Sequence, residues 1–340
     1  MNGHERIIAA LERRQPDRVP TFEWFIDKKV TRALVGTEDI LEAVDALDID
    51  GVNVRADYAR RFTGETDYLD EWGTTRRITG ESLAAAVEYP VPDITRQAEL
   101  AFPLVDAPQR FASLEKALRR FEGKRAVILN LRDGFSDMRE ILGYENCLIS
   151  MMIEETHFAD LLDRLVDYNL ALARVARERY NVPIVAMTDD IANETGLLFS
   201  PEIYFRLIAP RFRRVVQGYK SLGFLTIKHS DGDITPVVDW WLESGVDCLD
   251  PVDPAAGLDL ADFKRKYGGR VCLKGNVNCT GPLADGPGAA VVDEVRRCIR
   301  SGSAGGGFIL SSSNTIHSGV KPSNYEVMLN ALREYGTYLK

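Results

Sequence analysis

Gly223-Phe-Leu-Thr-Ile-Lys-His-Ser-Asp-Gly-Asp233 is the stretch on which the fold turns. Phe224 to Ile227 form an apolar, partly β-branched run that reads as a buried strand. The run ends abruptly in Lys228, His229, Asp231 and Asp233, and Gly232 permits a tight turn there. A helix-like run, Pro236-Val-Val-Asp-Trp-Trp-Leu242, follows at once. A buried strand with an imidazole and carboxylates at its C-terminal tip is where α/β enzymes place their chemistry. Taken alone, the same residues also read as a strand followed by a solvated acidic turn. The rest of the chain decides, because it repeats the pattern.

Working outward, seven further apolar segments alternate with helix-like ones. Val19 to Trp24 reads as a first strand with Glu23 near its end, and 50–55 as a second, tipped by Arg55, Asp57 and Tyr58. Strands at 125–131, 183–188, 246–250, 270–275 and 307–311 are tipped in turn by Asn130, Arg132 and Asp133; by Asp189 and Asp190; by Asp250 and Asp253; by Lys274, Asn276 and Asn278; and by Ser311 to Asn314. Helices are expected at 3–15, 38–47, 112–121, 136–152, 155–180, 201–222, 288–300 and 323–338, the sixth of them opened by Ser200-Pro-Glu202 as cap, first position and first-turn acid. Residues 60–105 are expected to be irregular, with a small hairpin around Asp70 to Arg77, and to decorate the domain as an insertion after the second strand. No glycine-rich phosphate loop opens a helix; Gly305-Gly306-Gly307 precedes a strand instead. Eight strand–helix units without a break predict one α/β domain over 1–340, a (β/α)8 TIM barrel, with a doubly wound open sheet as the alternative. A barrel gathers the tips into one ring holding Glu23, Arg55, Asp57, Arg132, Asp189, Asp190, His229, Asp231, Asp250, Asn276 and Asn314. So many polar tips on apolar strand bodies exceed what solvation requires.

Composition narrows the class. The chain has 340 residues, 45% hydrophobic and 27% charged, which suits a globular domain with a sizeable core. A formal net charge of -9 argues against nucleic acid or an anionic membrane as partner. No apolar run is long enough to span a bilayer, and Met1 to Arg6 lack a signal-peptide core, so a cytoplasmic protein is expected. Five cysteines without a CxxC pair suit reduced thiols, and Cys248 and Cys272 sit within apolar runs as small buried hydrophobes.

Several stretches, in this order, resemble the uroporphyrinogen decarboxylase superfamily, which includes porphyrinogen decarboxylases and corrinoid-linked methyltransferases. They are Arg6 to Pro20, Asp70-Glu-Trp-Gly73, Asp189-Asp190, Gly196 to Glu202, His229-Ser-Asp-Gly232, Gly245 to Pro251 and Gly307 to Leu310. The resemblance implies a (β/α)8 barrel with its site in the mouth. True decarboxylases of this family grip their substrate through an arginine-rich signature after the first strand. Here Glu23 stands there, with Lys28 and Lys29 beyond it, and Asn314 replaces the histidine after the eighth strand. The thiol-methylating branch holds zinc through His-x-Cys after strand five and a cysteine after strand eight. Here His229-x-Asp231 stands in the first place and Asn314 at or near the second. His and Asp remain competent zinc ligands, and Asp189, Asp190 or Glu23 would complete a harder N/O site.

The expected function is therefore a corrinoid-dependent methyltransferase that demethylates a methyl ether and passes the methyl group to a corrinoid on a separate protein. Its catalytic residues are expected to be His229, Asp231, Asp189, Asp190 and Asn314, with His229 and Asp231 sharing a zinc ion. Glu23, Trp24, Tyr58, Arg55, Arg132 and Asn276 are expected around the substrate, with Trp24, Phe25, Tyr58 and Phe135 as apolar walls against a flat small molecule. Asp250 reads instead as a barrel-mouth salt bridge. One alternative is a decarboxylase of a small or tetrapyrrole carboxylate, with Arg55 or Arg132 holding the acid. The other is a non-catalytic binding protein. A homodimer is left open.

Overall fold

The computed structural model describes residues 1–79 and 84–338. Its centre is a curled parallel sheet of seven strands, built from the apolar runs named above. Among the described residues there are thirteen strands: β1 Gly51–Arg55, β2 Arg60–Phe62, β3 Asp67–Asp70, β4 Thr75–Arg77, β5 Ala85–Glu88, β6 Ala126–Leu131, β7 Ile184–Thr188, β8 Ala192–Asn193, β9 Gly196–Leu197, β10 Leu225–His229, β11 Cys248–Asp250, β12 Cys272–Val277 and β13 Phe308–Ser312. The seven-stranded sheet runs β1-β6-β7-β10-β11-β12-β13, every pair parallel and every strand next to its successor in that order. β6 and β12 are buried along their whole length, as strands covered on both faces should be.

The expected strand at 19–24 is not a regular strand. Pro20 has no N–H to give a ladder, and the segment makes only isolated bridges. It nevertheless touches both edges of the sheet. The Pro20 carbonyl accepts the Leu310 N–H at 2.9 Å, and the Thr21 carbonyl accepts the Asp50 N–H at 2.9 Å. Asp50 Oδ2 in turn accepts the Thr21 N–H at 3.0 Å. Val19, Phe22, Trp24 and Ile26 are all buried. The edges of β1 and β13 are thus occupied by this segment.

Most helices fall where expected, including Ala112–Phe121 and Glu155–Tyr180. The expected helix at 136–152 is broken at Gly143, whose φ of 82° ends Phe135–Leu142 before Tyr144–Ile153 begins. Lys28–Val35, opened by the Asp27 cap, and Leu260–Tyr267, opened by the Asp259 cap, were not expected. Residues 60–105 are more regular than expected. β2 to β5 form an antiparallel four-stranded sheet, and a 3-10 helix, Ile94–Glu99, follows. Arg76 ties this sheet to the helix after β6 through Glu140 Oε2 at 2.6 Å. Among the described residues, no helix is long and apolar enough to cross a membrane.

Candidate active site

Parallel register assembles the site. β10 pairs so that His229 lies opposite Asp250 of β11 on one side and Thr188 of β7 on the other. The residues following Thr188, Asp189 and Asp190, therefore emerge beside His229. Successive residues on extended chain point to opposite sides, so only one of each neighbouring pair can face the interior of the rim. His229 and Asp190 take that side. Lys228 turns outward and ion-pairs with Asp133 at 2.7 Å beneath the rings of Phe212 and Trp241. Asp231 arrives through the turn at Gly232, whose φ is 86° and where a Cβ would lie 2.4 Å from the Asn193 carbonyl oxygen.

His229 Nε2 lies 3.6 Å from Asp190 Oδ1 and 3.7 Å from Asp231 Oδ1, too far for hydrogen bonds. One ligand atom from each of Asp190, His229 and Asp231 lies within 4.8 Å of the others. Asp231 Oδ1 is buried with no hydrogen-bond partner, whereas Asp231 Oδ2 accepts the Asn314 side-chain amide. Burial and the neighbouring carboxylates Asp190, Asp253 and Asp250 push the Asp231 carboxyl up to about 7, against the opposing pull of His229. Asp190 goes the other way. Burial would raise it, but the charges of His229 and Arg139 outweigh burial and hold it below the ordinary carboxylate range.

On its far side the imidazole is held. Its Nδ1 lies 2.6 Å from Asp250 Oδ2, and Lys274 Nζ donates to Asp250 Oδ1 at 2.7 Å. The Trp24 indole N–H also donates to Asp250 Oδ2. The Trp24 ring packs edge-on against the His229 ring, with centroids 5.2 Å apart. Burial alone would lower the His229 pKa, but the hydrogen bond to Asp250 and the three nearby carboxylates raise it overall. Asp250 is held below its usual range by Lys274 and His229 despite its burial. A cavity of about 620 Å³ opens beside the cluster, lined in part by Asp190, Asp231, Asp253, Cys279, Ser313 and Asn314. That volume admits a small molecule.

The expected site residues separate into groups. His229, Asp231, Asp190 and Asn314 come together. Asp189 does not join them: its side chain accepts the backbone N–H groups of Asp133 at 3.1 Å, Phe135 at 3.0 Å and Ser136, capping the helix that Gly134 leaves without a side-chain cap. Asn276 is also occupied internally, donating to the Val252 carbonyl at 2.8 Å and accepting from Arg297 at 3.1 Å. Glu23 is buried, accepts from the Ser312 N–H at 3.0 Å and hydroxyl at 2.6 Å, and is pushed up to about 7, chiefly by burial. Arg132 sits 3.5 Å from Asp137. Arg55 is exposed at the end of β1. Its pKa falls to about 10 through desolvation and then the charge of Arg132. Tyr58 packs beneath the Arg110 guanidinium at 4.2 Å and near Trp72. Phe135, expected as a substrate wall, is fully buried against Phe199. Phe25 remains exposed.

Two partners of the site were not assigned to it from sequence, Asp250 and Lys274. The available signal was a lysine directly after the apolar run Val271-Cys-Leu273, since an unpaired lysine is not left inside a core.

The comparisons with known proteins bear on the fold and the family. A methyltransferase from Methanosarcina mazei superposes with a TM-score of 0.78 over 98% of this chain and 99% of that one, at 15% identity, which speaks for the fold. The uroporphyrinogen decarboxylase of Cupriavidus necator is 27% identical over 196 residues, 53% of this chain and 50% of that protein. That of Hahella chejuensis is 30% identical over 178 residues, 51% of this chain and 46% of that protein. The chain thus spans about half the length of the curated relatives it matches. The family model for uroporphyrinogen decarboxylase (URO-D) covers residues 78–335 and so takes in His229, Asp231, Asp190 and Asn314. With that span matched, the chain belongs to the uroporphyrinogen decarboxylase (URO-D) family.

Proposed function

We propose that this protein is a methyltransferase that takes a methyl group from an ether oxygen and passes it to a corrinoid carried by a separate protein. The observation that supports this best is the convergence of Asp190, His229 and Asp231 beside a cavity of small-molecule size. We read the scaffold as a closed (β/α)8 barrel, with the segment 18–26 in the eighth place between β13 and β1 and the 60–105 region as an insertion beside the mouth. A cytoplasmic location and a single domain fit this reading.

The donor set suits a divalent ion such as zinc. It offers one imidazole nitrogen and two carboxylate oxygens, and one of those oxygens is buried without a partner. His229 Nε2, Asp190 and Asp231 would hold the ion, with no thiolate among them. When bound, the ion supplies Lewis acidity to a coordinated oxygen, which suits an ether more than a thiol. Asn314 fixes the Asp231 carboxylate by donating to Oδ2. In the metal-free site Asp231 is poised near neutrality and can hold a proton at Oδ1; with an ion held there, the same oxygen would serve as a ligand instead. Asp253, with one carboxylate oxygen on the Gly232 N–H at 2.9 Å, steadies the turn that carries Asp231.

Decarboxylation is the second reading, favoured by the URO-D relatives and by Arg55, whose side chain makes no hydrogen bond or ion pair among the described residues. The test is to supply methoxylated aromatics with and without a corrinoid protein kept reduced. Methyl transfer that needs both proteins supports the first reading. Carbon dioxide released from a carboxylate by this protein alone overturns it.

A further inference from the structure

We propose that Asp250 is a positioning residue for His229, fixing the imidazole in the tautomer with its proton on Nδ1 so that the Nε2 lone pair faces Asp190 and Asp231. This deepens the reading of the site given above and rests on it for the role of Nε2.

The geometry is over-determined. Asp250 Oδ2 is 2.6 Å from Nδ1, and Asp250 Oδ1 accepts from Lys274 Nζ at 2.7 Å. The Trp24 indole N–H, which can only donate, is spent on the same carboxylate. A carboxylate that takes a lysine ammonium and an indole N–H is an acceptor. Two acceptors cannot share a 2.6 Å contact without a proton, so Nδ1 carries it. Nε2 is then the nitrogen left for chemistry, and it is the one facing the two carboxylates of the cluster. The Trp24 ring packs edge-on against the imidazole. Lys274 supplies the charge that keeps Asp250 anionic in a place where it is 1% exposed. Outer-shell carboxylates of this kind orient a metal-binding histidine and raise its basicity. The neighbours of the imidazole are accounted for on every side: Asp190 from the segment after β7, Asp231 from the turn after β10, Asp250 from β11 and Lys274 behind it from β12.

Replacing Asp250 alone would strand Lys274, so the test uses the charge-balanced pair Asp250→Asn with Lys274→Met, alongside Lys274→Met alone. The 340-residue chain is labelled with nitrogen-15 in its histidines, of which it has 4. Ring nitrogen shifts of His229 are read in the metal-free protein at a pH where the ring is neutral. Zinc affinity is measured separately by competition with a chelator. The wild type should show the Nδ1–H form. The double variant should lose that preference, and its zinc affinity should fall about 10- to 100-fold. A double variant that keeps both the Nδ1–H form and wild-type zinc affinity overturns the proposal. If the wild type binds no zinc but the tautomer still shifts on mutation, the positioning role stands and the metal reading of the site falls. If the wild-type ring is found as Nε2–H, the positioning role falls whatever the metal result.

Discussion

Asp189 and Asp190 are neighbours in sequence, and their removal should have opposite consequences. Asp189 is fully buried and caps three backbone N–H groups, those of Asp133, Phe135 and Ser136. Losing an ordinary helix cap costs about 0.5–2 kcal/mol. Here water cannot replace the carboxylate, and each buried amide left unpaired costs about 1–3 kcal/mol in its own right. Allowing for partial collapse, Asp189→Ala should lose about 3 kcal/mol, roughly a hundredfold in the folded-to-unfolded ratio. In urea, at a slope of about 3 kcal/mol/M, the midpoint should fall by about 1 M. Asp190 lies at the solvent-facing rim, with contacts of 3.6 and 3.7 Å to His229 and Arg139. Asp190→Ala should cost only about 1 kcal/mol of stability, because the carboxylate is half-exposed and its contacts are long. It should nonetheless reduce zinc content and turnover. The assay is urea unfolding followed by tryptophan fluorescence, run beside metal analysis of the same samples. If Asp189→Ala loses less than 1 kcal/mol, or Asp190→Ala loses as much as Asp189→Ala, the division of labour between these two residues is wrong.

Other outcomes follow from the same geometry. His229→Ala should abolish turnover with an identified substrate, and it should also lower the urea midpoint, because it removes a bond to buried Asp250; full activity in this variant would remove His229 from the site. Lys228→Met leaves Asp133 buried without its cation, and breaking a pair of that kind costs about 3–5 kcal/mol, to be checked by denaturant unfolding. In the metal-free protein the Asp231 carboxyl, at about 7 when folded, exceeds its unfolded value, so the folded state binds more protons between the two. Its contribution therefore makes stability fall as pH rises from about 4 to about 7. Asp231→Asn should flatten that slope in midpoints measured across the window, and an unchanged slope would refute the assignment. The same substitution should lower zinc content measured by elemental analysis.

Much of the fold was legible because its signals are local. Seven apolar runs became seven strands of one sheet, and the tips carried the polar residues. The run at 19–24 looked equally strand-like, but Pro20 cannot serve a ladder, and side-chain pattern says nothing about that missing donor. The site was legible as a set of strand tips and not as a set of directions. His229 and Asp231, two residues apart, do converge on one interior. Asp189 and Asp190 read identically in sequence, and only the alternation of an extended chain, counted from a known register, tells the cap from the rim carboxylate. Asp250 and Lys274 come from different strands, so their partnership is a fact of sheet order that no short motif contains. The four-stranded sheet in 60–105 was missed because its short strands lack a clean alternation; β2 is exposed throughout.

The bond between Glu23 and Ser312 joins residues 289 positions apart, and Trp24 reaches Asp250 across 226. During synthesis at about 5–20 residues per second, the segment around Glu23 therefore waits roughly 15 to 60 s for its partner strand to be made. Through that interval Phe22, Trp24 and Ile26 have no finished surface to cover them. The nascent chain thus carries a sticky apolar strip for as long as those 289 positions take to be made, and a ribosome-associated chaperone would be expected to hold it there.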